Sequence, residues 1–288
     1  MKSDVRIEDR ISGSYAELSA KLKEAADYVV ANQLEIATRS LRSVSAASHL
    51  SPATFSRLAR SLGFSSYEEL RELCRTALGD QGLSLSDRAQ RLMEDPSASV
   101  NMLERHASAC VRNISDVVSK VDPLRLKAAV DALSGARNVV LFGAFSSTGV
   151  VEYMAYLAQY FSTNWTLAGR MGSSLGSSVA DLTDEDVLLI VTKTPYARRA
   201  VIAAELAREA GAQVIVITDS HVCPTNRYGN FSFIVQSDSP QFFSSYVATV
   251  ALIETMIAML VAQSGDEANI RIRDVEARNK RLGDFWAD

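Results

Sequence analysis

The sequence predicts two domains of different class: an all-α helix-turn-helix domain, then an α/β domain built on a doubly wound parallel sheet. Up to about residue 80, apolar residues recur at the three-and-four spacing of amphipathic helices. From residue 138, short β-rich runs such as "NVVLFGA" and "DVLLIVT" alternate with helical ones, which is typical of parallel strands covered on both faces. Between these parts, "GDQGLSLSD" has two glycines and few apolar residues. We therefore predict domains at residues 1–79 and 99–288, joined by a linker at 80–98.

The composition predicts a cytoplasmic protein without a metal or a cofactor. Its 288 residues carry a net charge of −4 and 47% are apolar, so we expect a packed core and no generally basic surface. The three cysteines are odd in number and far apart, which excludes a disulfide framework and a C-x-x-C metal site. Residues 1–14 lack the apolar stretch of a signal peptide. The apolar run at 246–262 is shorter than the roughly 20 residues of a membrane span, so it predicts a buried helix and no membrane partner.

The stretch "SLRSVSAASHLSPATFSRLARSLGF" predicts the helix-turn-helix. A short helix at Ser40–Ala47 is followed by the turn "SHL", and then a serine caps a second helix that has Pro52 at its first position. In such a motif the second helix enters the major groove, where small hydroxyl residues approach base edges and arginines pair with guanine or phosphate. The candidate DNA-binding residues are Ser51, Thr54, Ser56, Arg57 and Arg60.

Charge supports this interpretation. Residues 36–67 contain four arginines, Arg39, Arg42, Arg57 and Arg60, and no Asp or Glu, in a chain that is acidic as a whole. A local basic patch of this kind is the electrostatic footprint of nucleic-acid binding. The alternative is an ordinary helical bundle with a solvated basic face.

The string "LSPATFSRLARSLGFSSYEEL" resembles the helix-turn-helix of RpiR-type transcriptional regulators, with its serine cap, following threonine and arginine, and "LGF" ending. The resemblance extends back to "ADYVVANQLEIAT". It implies a bacterial regulator that binds double-stranded operator DNA. Since one such motif makes few contacts, we expect a homodimer or homotetramer on a two-fold related site.

In the α/β half, the first strand leads into "GAFSST", which we interpret as one side of an anion site. Gly143 ends the strand, and Ser146 and Ser147 stand where a helix begins, so hydroxyls and backbone N–H groups converge there. The spacing matches neither a P-loop nor G-x-G-x-x-G. An ordinary glycine turn with a serine cap remains the alternative.

Following the helix-turn-helix, residues 139–260 resemble a sugar isomerase (SIS) domain, whose members usually sense phosphosugars through hydroxyls of two loops. The second loop typically reads Ser-x-Ser-Gly-x-Thr, whereas this chain has "TKTPYA", with Thr192, Lys193 and Thr194 as candidate ligands. Proline has no N–H to donate, and the alanine removes a hydroxyl. Lys193 and the arginines at 198 and 199 could supply charge instead, unless those arginines are a solvated first helical turn. We expect a small anionic effector: a phosphosugar, a sugar acid or another carboxylate.

An isomerase needs a positioned base, and the candidates are His221, in a loop, and Glu254, in the last helix. With a DNA-binding domain attached and an atypical second loop, we expect a regulator and not an enzyme. The alternative is a phosphosugar isomerase, or a metabolic phosphosugar-binding protein, whose helical N-terminus serves for assembly.

Overall fold

The computed structural model describes residues 7–81, 85–95, 98–170, 172–284 and 286. The chain folds as two compact units, the first formed by residues 1–100 with 241–243 and the second by residues 101–240 with 244–288. The first unit is helical and the second contains the sheet, so the predicted fold classes are confirmed in their predicted order.

The first unit is built from short helices packed around aromatic residues. Its helices are α1 (Ile7–Ser14), α2 (Ala20–Ala31), α3 (Gln33–Thr38), α4 (Leu41–Ser48), α5 (Pro52–Ser61), α6 (Tyr67–Gln81) and α7 (Leu85–Glu94). Phe55 of α5 is fully buried, and its ring makes edge-to-face contacts with Tyr28 and Tyr67 at centroid distances of 6.1 Å each. This aromatic contact joins α2, α5 and α6, and therefore fixes the orientation of α5.

The segment predicted as a linker is partly helical. Helix α6 continues to Gln81, and α7 has no buried residue along its length. Leu85, Ala89 and Leu92 recur at helical spacing in α7, but the glycines and polar residues of "GDQGLSLSD" favoured a linker in the sequence interpretation. The predicted domain limits at residues 79 and 99 therefore stay a prediction. In the structure, the two compact units divide between residues 100 and 101.

In the second unit, five strands within the described residues form a parallel sheet in the order β2-β1-β3-β4-β5. The strands are β1 (Val139–Gly143), β2 (Trp165–Leu167), β3 (Val187–Val191), β4 (Gln213–Thr218) and β5 (Phe231–Ile234). The helices are α8 (Ala98–Lys120), α9 (Pro123–Gly135), α10 (Ser147–Gln159), α11 (Leu175–Ala180), α12 (Arg198–Glu209) and α13 (Val247–Leu282).

The strand order places a topological switch between β1 and β3. The chain leaves β1 for β2 on one side and returns to β3 on the other, so the two connections after β1 and β3 diverge. The two strands end in register, with Gly143 paired with Val191. Ligands of doubly wound sheets bind at such a point, so the fold brings the two predicted loops to one place.

Both faces of the sheet are covered. Alternate residues of the central strands enter opposite cores: Leu141 and Leu189 pack with α9, α10 and α13, whereas Val140 and Leu188 pack with α12. Every residue of β1 and β3 is buried. The near-continuous apolar strands follow from this double coverage.

The first part of α13 is a core helix. Its composition is apolar enough for a membrane span, but Leu252, Ile253, Met256 and Leu260 are buried in the core beside the sheet. This confirms the predicted buried helix. Gly265 interrupts the helix with a φ of 55°, a conformation that glycine adopts without strain.

At the amino-terminal edge of the sheet, the carboxylate of Asp186 joins the segment before β1 to the turn before β3. It accepts hydrogen bonds from the Arg137 guanidinium at 3.0 and 2.5 Å, from Asn138 N at 3.1 Å and from Thr183 N at 2.8 Å. The Arg137 guanidinium and these donors hold the pKa of Asp186 well below its ordinary value, although burial opposes them. Asp186 is therefore a structural carboxylate, remote from the carboxyl ends of the strands.

Candidate DNA-binding helix and ligand site

The predicted helix-turn-helix corresponds to α4, a tight turn and α5. The turn begins at His49, which adopts the left-handed conformation with a φ of 58°. Ser51 caps α5, with its Oγ accepting a hydrogen bond from Thr54 N at 3.2 Å, and Pro52 occupies the first turn. The cap and the proline start α5 sharply, as the sequence predicts.

The two faces of α5 differ in burial. Phe55 and Leu58 are fully buried, whereas Arg57 and Arg60 are exposed on the opposite side. The Arg57 Nε donates to the carbonyl of Ala53 at 3.3 Å, which leaves the rest of the guanidinium facing solvent. The exposed face of α5 can therefore contact a negatively charged partner such as a nucleic-acid backbone.

The structure differs from the sequence interpretation at two serine or threonine positions. Thr54 is only 3% exposed and its Oγ1 lies 2.9 Å from Ser51 Oγ, so it completes the cap and does not reach a base. The half-buried Ser56 donates to the carbonyl of Pro52 at 3.1 Å. Thr54 is four residues before Leu58, and this helical spacing already places it on the buried side. Ala53, which we did not predict, is exposed near the helix start.

One of the four arginines of the predicted basic patch is already paired with a carboxylate. Arg39 forms an ion pair with Glu35 at 2.8 Å, and Glu35 lies one residue outside the acid-free stretch. Within the described part of the chain, no carboxylate lies within ion-pair distance of Arg42, Arg57 or Arg60. These three exposed cations are the part of the patch that is available to bind phosphate.

In the second unit, loop one (residues 143–147) turns tightly from β1 into α10. A Cβ on Gly143 would lie 2.5 Å from the carbonyl oxygen of Ser147, so only glycine fits there. The turn leaves Phe145 exposed with a φ of 54°, and it buries the Ser147 side chain while Ser146 stays exposed. The two serines predicted for the site thus lie at the start of α10, directly after β1.

Tyr246 connects loop one to α13. Its hydroxyl lies 2.9 Å from Ser146 Oγ and 2.9 Å from Ser147 Oγ, and Tyr246 is the residue before the first turn of α13. We did not predict this residue as part of the site. The sequence signal that could have indicated it is "SPQFFSSY", a hydroxyl-rich stretch directly before a long helix.

Loop two (residues 192–197) contains a buried cation. Lys193 is 4% exposed; its Nζ donates to the carbonyl of Val235 at 3.0 Å and lies 5.4 Å from the ring centroid of Tyr246. Burial lowers the pKa of Lys193 to about 8, although Asp219 and Asp238 oppose the shift. Tyr246 therefore contacts candidate residues of both loops, through its hydroxyl and through its ring.

A second residue that we did not predict, Asp219, accepts hydrogen bonds from loop two. It follows β4, which is next to β3 in the sheet, and its carboxylate accepts hydrogen bonds from Thr194 N at 3.0 Å and from the Tyr196 hydroxyl at 3.1 Å. Burial, more than the Asp219 charge, raises the pKa of Tyr196. Thr192 is buried and extends the sheet, since its N–H donates to Ile217 at 3.0 Å.

The remaining charged and basic candidates lie apart from these contacts. Arg198 and Arg199 are exposed at the start of α12, as expected of a solvated first turn, and the Arg199 guanidinium lies 5.7 Å from the Phe142 ring centroid. His221 is exposed in the loop after β4. Glu254 accepts a hydrogen bond from the Tyr153 hydroxyl at 2.7 Å, between α13 and α10. Within the described residues, no three His, Cys, Asp or Glu side chains cluster as a metal site would require.

Comparison with known families decides the classification. Residues 5–78 match the model of the helix-turn-helix domain of the rpiR family. The N-terminal part of the chain is thus a helix-turn-helix domain of the rpiR type. Its second part, residues 132–259, matches the SIS domain model, so both resemblances noted in the sequence are confirmed.

Relatives of this chain are described as HTH-type transcriptional regulators. It is 24% identical over 258 residues to an uncharacterised HTH-type transcriptional regulator of Caldanaerobacter subterraneus, covering 88% of each chain. It is also 24% identical over 211 residues to the HTH-type transcriptional regulator HexR of Pseudomonas aeruginosa, covering 73% of this chain and 72% of HexR.

Solved structures share the fold at low sequence identity. The NanR protein of Vibrio vulnificus, complexed with ManNAc-6P, matches with a TM-score of 0.57 and 18% identity over 96% of this chain and 99% of NanR. The sugar isomerase domain of an RpiR transcription factor from Sphaerobacter thermophilus matches with a TM-score of 0.58 and 22% identity, over 62% of this chain and 99% of that domain.

Proposed function

We propose that this protein is an RpiR-type bacterial transcriptional regulator that binds operator DNA through α5 and senses a small anionic, carbohydrate-related metabolite in its SIS domain. The observation that carries the proposal is the exposed face of α5. Its arginines, Arg57 and Arg60, have no acidic partner among the described residues, and the cap of Ser51 starts the helix sharply.

On the DNA side, Arg57 and Arg60 bind the operator, and Arg42 of α4 adds a phosphate contact. Ser51 and Ala53 stand closest to the helix start, which is where the recognition helix meets base edges in this motif. One α5 makes few contacts, so the protein acts as a homodimer or homotetramer on a two-fold related operator. This places the protein in the cytoplasm.

On the effector side, the site lies at the switch point, where Tyr246 contacts Ser146, Ser147 and Lys193. Thr194 belongs to the same loop as Lys193 and is held by Asp219. Hydroxyls suit the hydroxyls of a sugar, and the buried ammonium of Lys193 suits an anionic group. The similarity to NanR complexed with ManNAc-6P supports an effector that is a small anionic derivative of a sugar. A ligand alters DNA affinity only through different affinities for two conformations, typically worth about 1–3 kcal/mol.

We assign sensing and not catalysis to the SIS domain. Aldose–ketose isomerisation needs a base within hydrogen-bond reach of the substrate. Glu254 is engaged by Tyr153 between two helices, and Asp219 is engaged by loop two. The alternative, a phosphosugar isomerase, predicts turnover: incubation with aldose and ketose phosphates would then interconvert them, as followed by NMR.

The test is fluorescence anisotropy with a labelled DNA fragment taken from the region upstream of the gene of this protein. We expect binding whose logarithm falls linearly with the logarithm of the salt concentration, with a slope of about −0.9 for each phosphate neutralised. The effector should shift that binding. Equal affinity for an unrelated fragment of the same length, at every salt concentration, would contradict a role as a specific regulator.

A further inference from the structure

The backbone donor of loop two is already bound to a carboxylate of the same chain. Asp219 Oδ2 accepts from Thr194 N at 3.0 Å, and Asp219 Oδ1 accepts from the Tyr196 hydroxyl at 3.1 Å. The next residue of the loop, Pro195, has no N–H. A second anion that approached this part of loop two would therefore meet a fixed negative charge in place of a free amide.

The ammonium of Lys193, by contrast, can donate further hydrogen bonds. Its ammonium has three N–H donors, and within the described residues its hydrogen bond goes to the carbonyl of Val235, a neutral acceptor. Among the described residues no carboxylate lies within ion-pair distance, although the side chain is only 4% exposed. Asp219 and Asp238 act on the Lys193 charge from farther away, so an anionic ligand that reached the ammonium would add the direct ion pair that this buried charge lacks.

The charges around Lys193 favour one kind of anionic group on the ligand over another. Lys193 contributes one buried positive charge, and Asp219 places one negative charge on the same loop. A phosphate monoester carries about two negative charges at neutral pH, so it would exceed the charge of Lys193 and be repelled by Asp219. A carboxylate carries one, so Asp219 repels it less, and it can pair with Lys193 without needing the amide of Thr194.

Loop one and Tyr246 suit the uncharged part of the same ligand. The hydroxyls of Ser146, Ser147 and Tyr246 each donate and accept, so they can exchange their mutual hydrogen bonds for bonds to sugar hydroxyls. The ring of Tyr246 lies 5.4 Å from Lys193 Nζ. Sugar hydroxyls at loop one and a carboxylate at Lys193 are therefore compatible with one small molecule.

We propose that the SIS domain selects a sugar acid over a phosphosugar, with Lys193 binding the carboxylate and Asp219 acting as the specificity residue that keeps phosphate out of loop two. The proposal rests on the proposed function, and it names the chemical class of the effector.

The test is isothermal titration calorimetry of the full-length protein with sugar acids (gluconate, glucuronate and galacturonate) and with phosphosugars (glucose 6-phosphate and N-acetylmannosamine 6-phosphate). We expect at least one sugar acid to bind the wild type more tightly than either phosphosugar does. Asp219→Asn keeps the side-chain shape and an acceptor oxygen but removes the charge, so it should raise phosphosugar affinity by about tenfold. Lys193→Met should weaken the sugar acid by at least about tenfold.

Asp184→Asn is the matched control, since it removes the same charge from an exposed position in the turn before β3. It should change neither affinity. The proposal is overturned if the wild type binds no sugar acid of the panel, if it prefers a phosphosugar, or if Asp219→Asn and Asp184→Asn behave alike.

Anisotropy with the upstream DNA separates this proposal from the proposed function. A phosphosugar that binds and shifts operator affinity would uphold the regulator and overturn the selection of sugar acids. Binding of a sugar acid by a protein that shows no preference for its upstream DNA would uphold the selectivity and overturn the regulator.

Discussion

The hydroxyls of Tyr246 and Ser147 lie 2.9 Å apart, although the two residues are 99 positions apart in the chain. Ser147 begins α10 directly after β1, and Tyr246 directly precedes α13. A ligand that binds the Ser147 hydroxyl competes with the Tyr246 hydroxyl for it. The bond therefore links occupancy of loop one to the start of the longest helix among the described residues.

Tyr246→Phe tests this link. The change keeps the ring over Lys193 and removes only the hydroxyl, so loop one loses its shared partner. We expect basal operator affinity to stay unchanged, and the effect of a bound ligand on that affinity to fall by most of its value, because ligand binding no longer breaks a bond to α13. DNA anisotropy with and without ligand measures this. Tyr153→Phe, which removes a hydroxyl from α10 outside the site, is the control.

The exposed arginines of α5 provide the second prediction. Arg57→Ala and Arg60→Ala should each weaken operator binding: a lost phosphate contact lowers the salt slope by about 0.9, and a lost guanine contact costs about 1–3 kcal/mol for the cognate sequence alone. Arg227→Ala removes an exposed arginine from the second unit and should leave the slope unchanged. Equal salt slopes together with equal affinities for the cognate sequence, in all three variants and the wild type, would exclude α5 as the DNA-binding helix.

The third prediction concerns the stability of the sheet unit. Asp186→Ala removes the common acceptor of Arg137, Asn138 and Thr183, and we expect it to lower the free energy of unfolding by about 2–4 kcal/mol at pH 7. Urea unfolding followed by tryptophan fluorescence reports this, because both tryptophans, at 165 and 286, lie in the second unit. Asp184→Ala is the exposed control and should cost less than about 0.5 kcal/mol.

The same variant has a defined pH dependence. The pKa of Asp186 is held below its unfolded value, so the carboxylate stabilises the fold above a pH of about 4, and this contribution is lost as the pH falls towards the folded pKa. The difference between the wild type and Asp186→Ala should therefore shrink between pH 7 and pH 3. A constant difference over that range would show that Asp186 acts through packing and not through its charge.

Several features could be predicted from the sequence because their causes are local. The strands β1, β3 and β4 are near-continuous apolar runs, and α5 has a serine cap and a proline at its start. Loop one and loop two follow β1 and β3 directly, and the strand order then brings them together. Helix α7 was not predicted, because the glycines and polar residues just before it were interpreted as the start of a linker.

The missed site residues depend on contacts that the sequence does not encode locally. Asp219 reaches loop two only because β4 lies next to β3, and Tyr246 reaches loop one only because the chain returns over the sheet before α13. Spacing predicts which residues follow a strand, but not which residues of neighbouring strands meet. Thr54 is the opposite case, since its helical spacing from Leu58 indicates burial from the sequence alone.

Lys193 provides the fourth prediction, in which stability and binding change in opposite directions. Burial lowers the folded pKa of Lys193 from 10.5 to about 8. A lowered lysine pKa means that the charged form destabilises the fold, by on the order of 3 kcal/mol below pH 8, and that stability recovers as the pH rises from 8 to 10.5. Lys193→Met keeps the length of the side chain without the charge. We expect it to raise the urea midpoint at pH 7 in the absence of ligand, to remove the rise of wild-type stability between pH 8 and 10, and to lose effector binding.

Lys127→Met, at an exposed position in α9, is the control and should do none of these. If Lys193→Met instead destabilised the protein at pH 7, the hydrogen bond to Val235 would outweigh the burial of the charge, and Lys193 would be a structural residue of loop two.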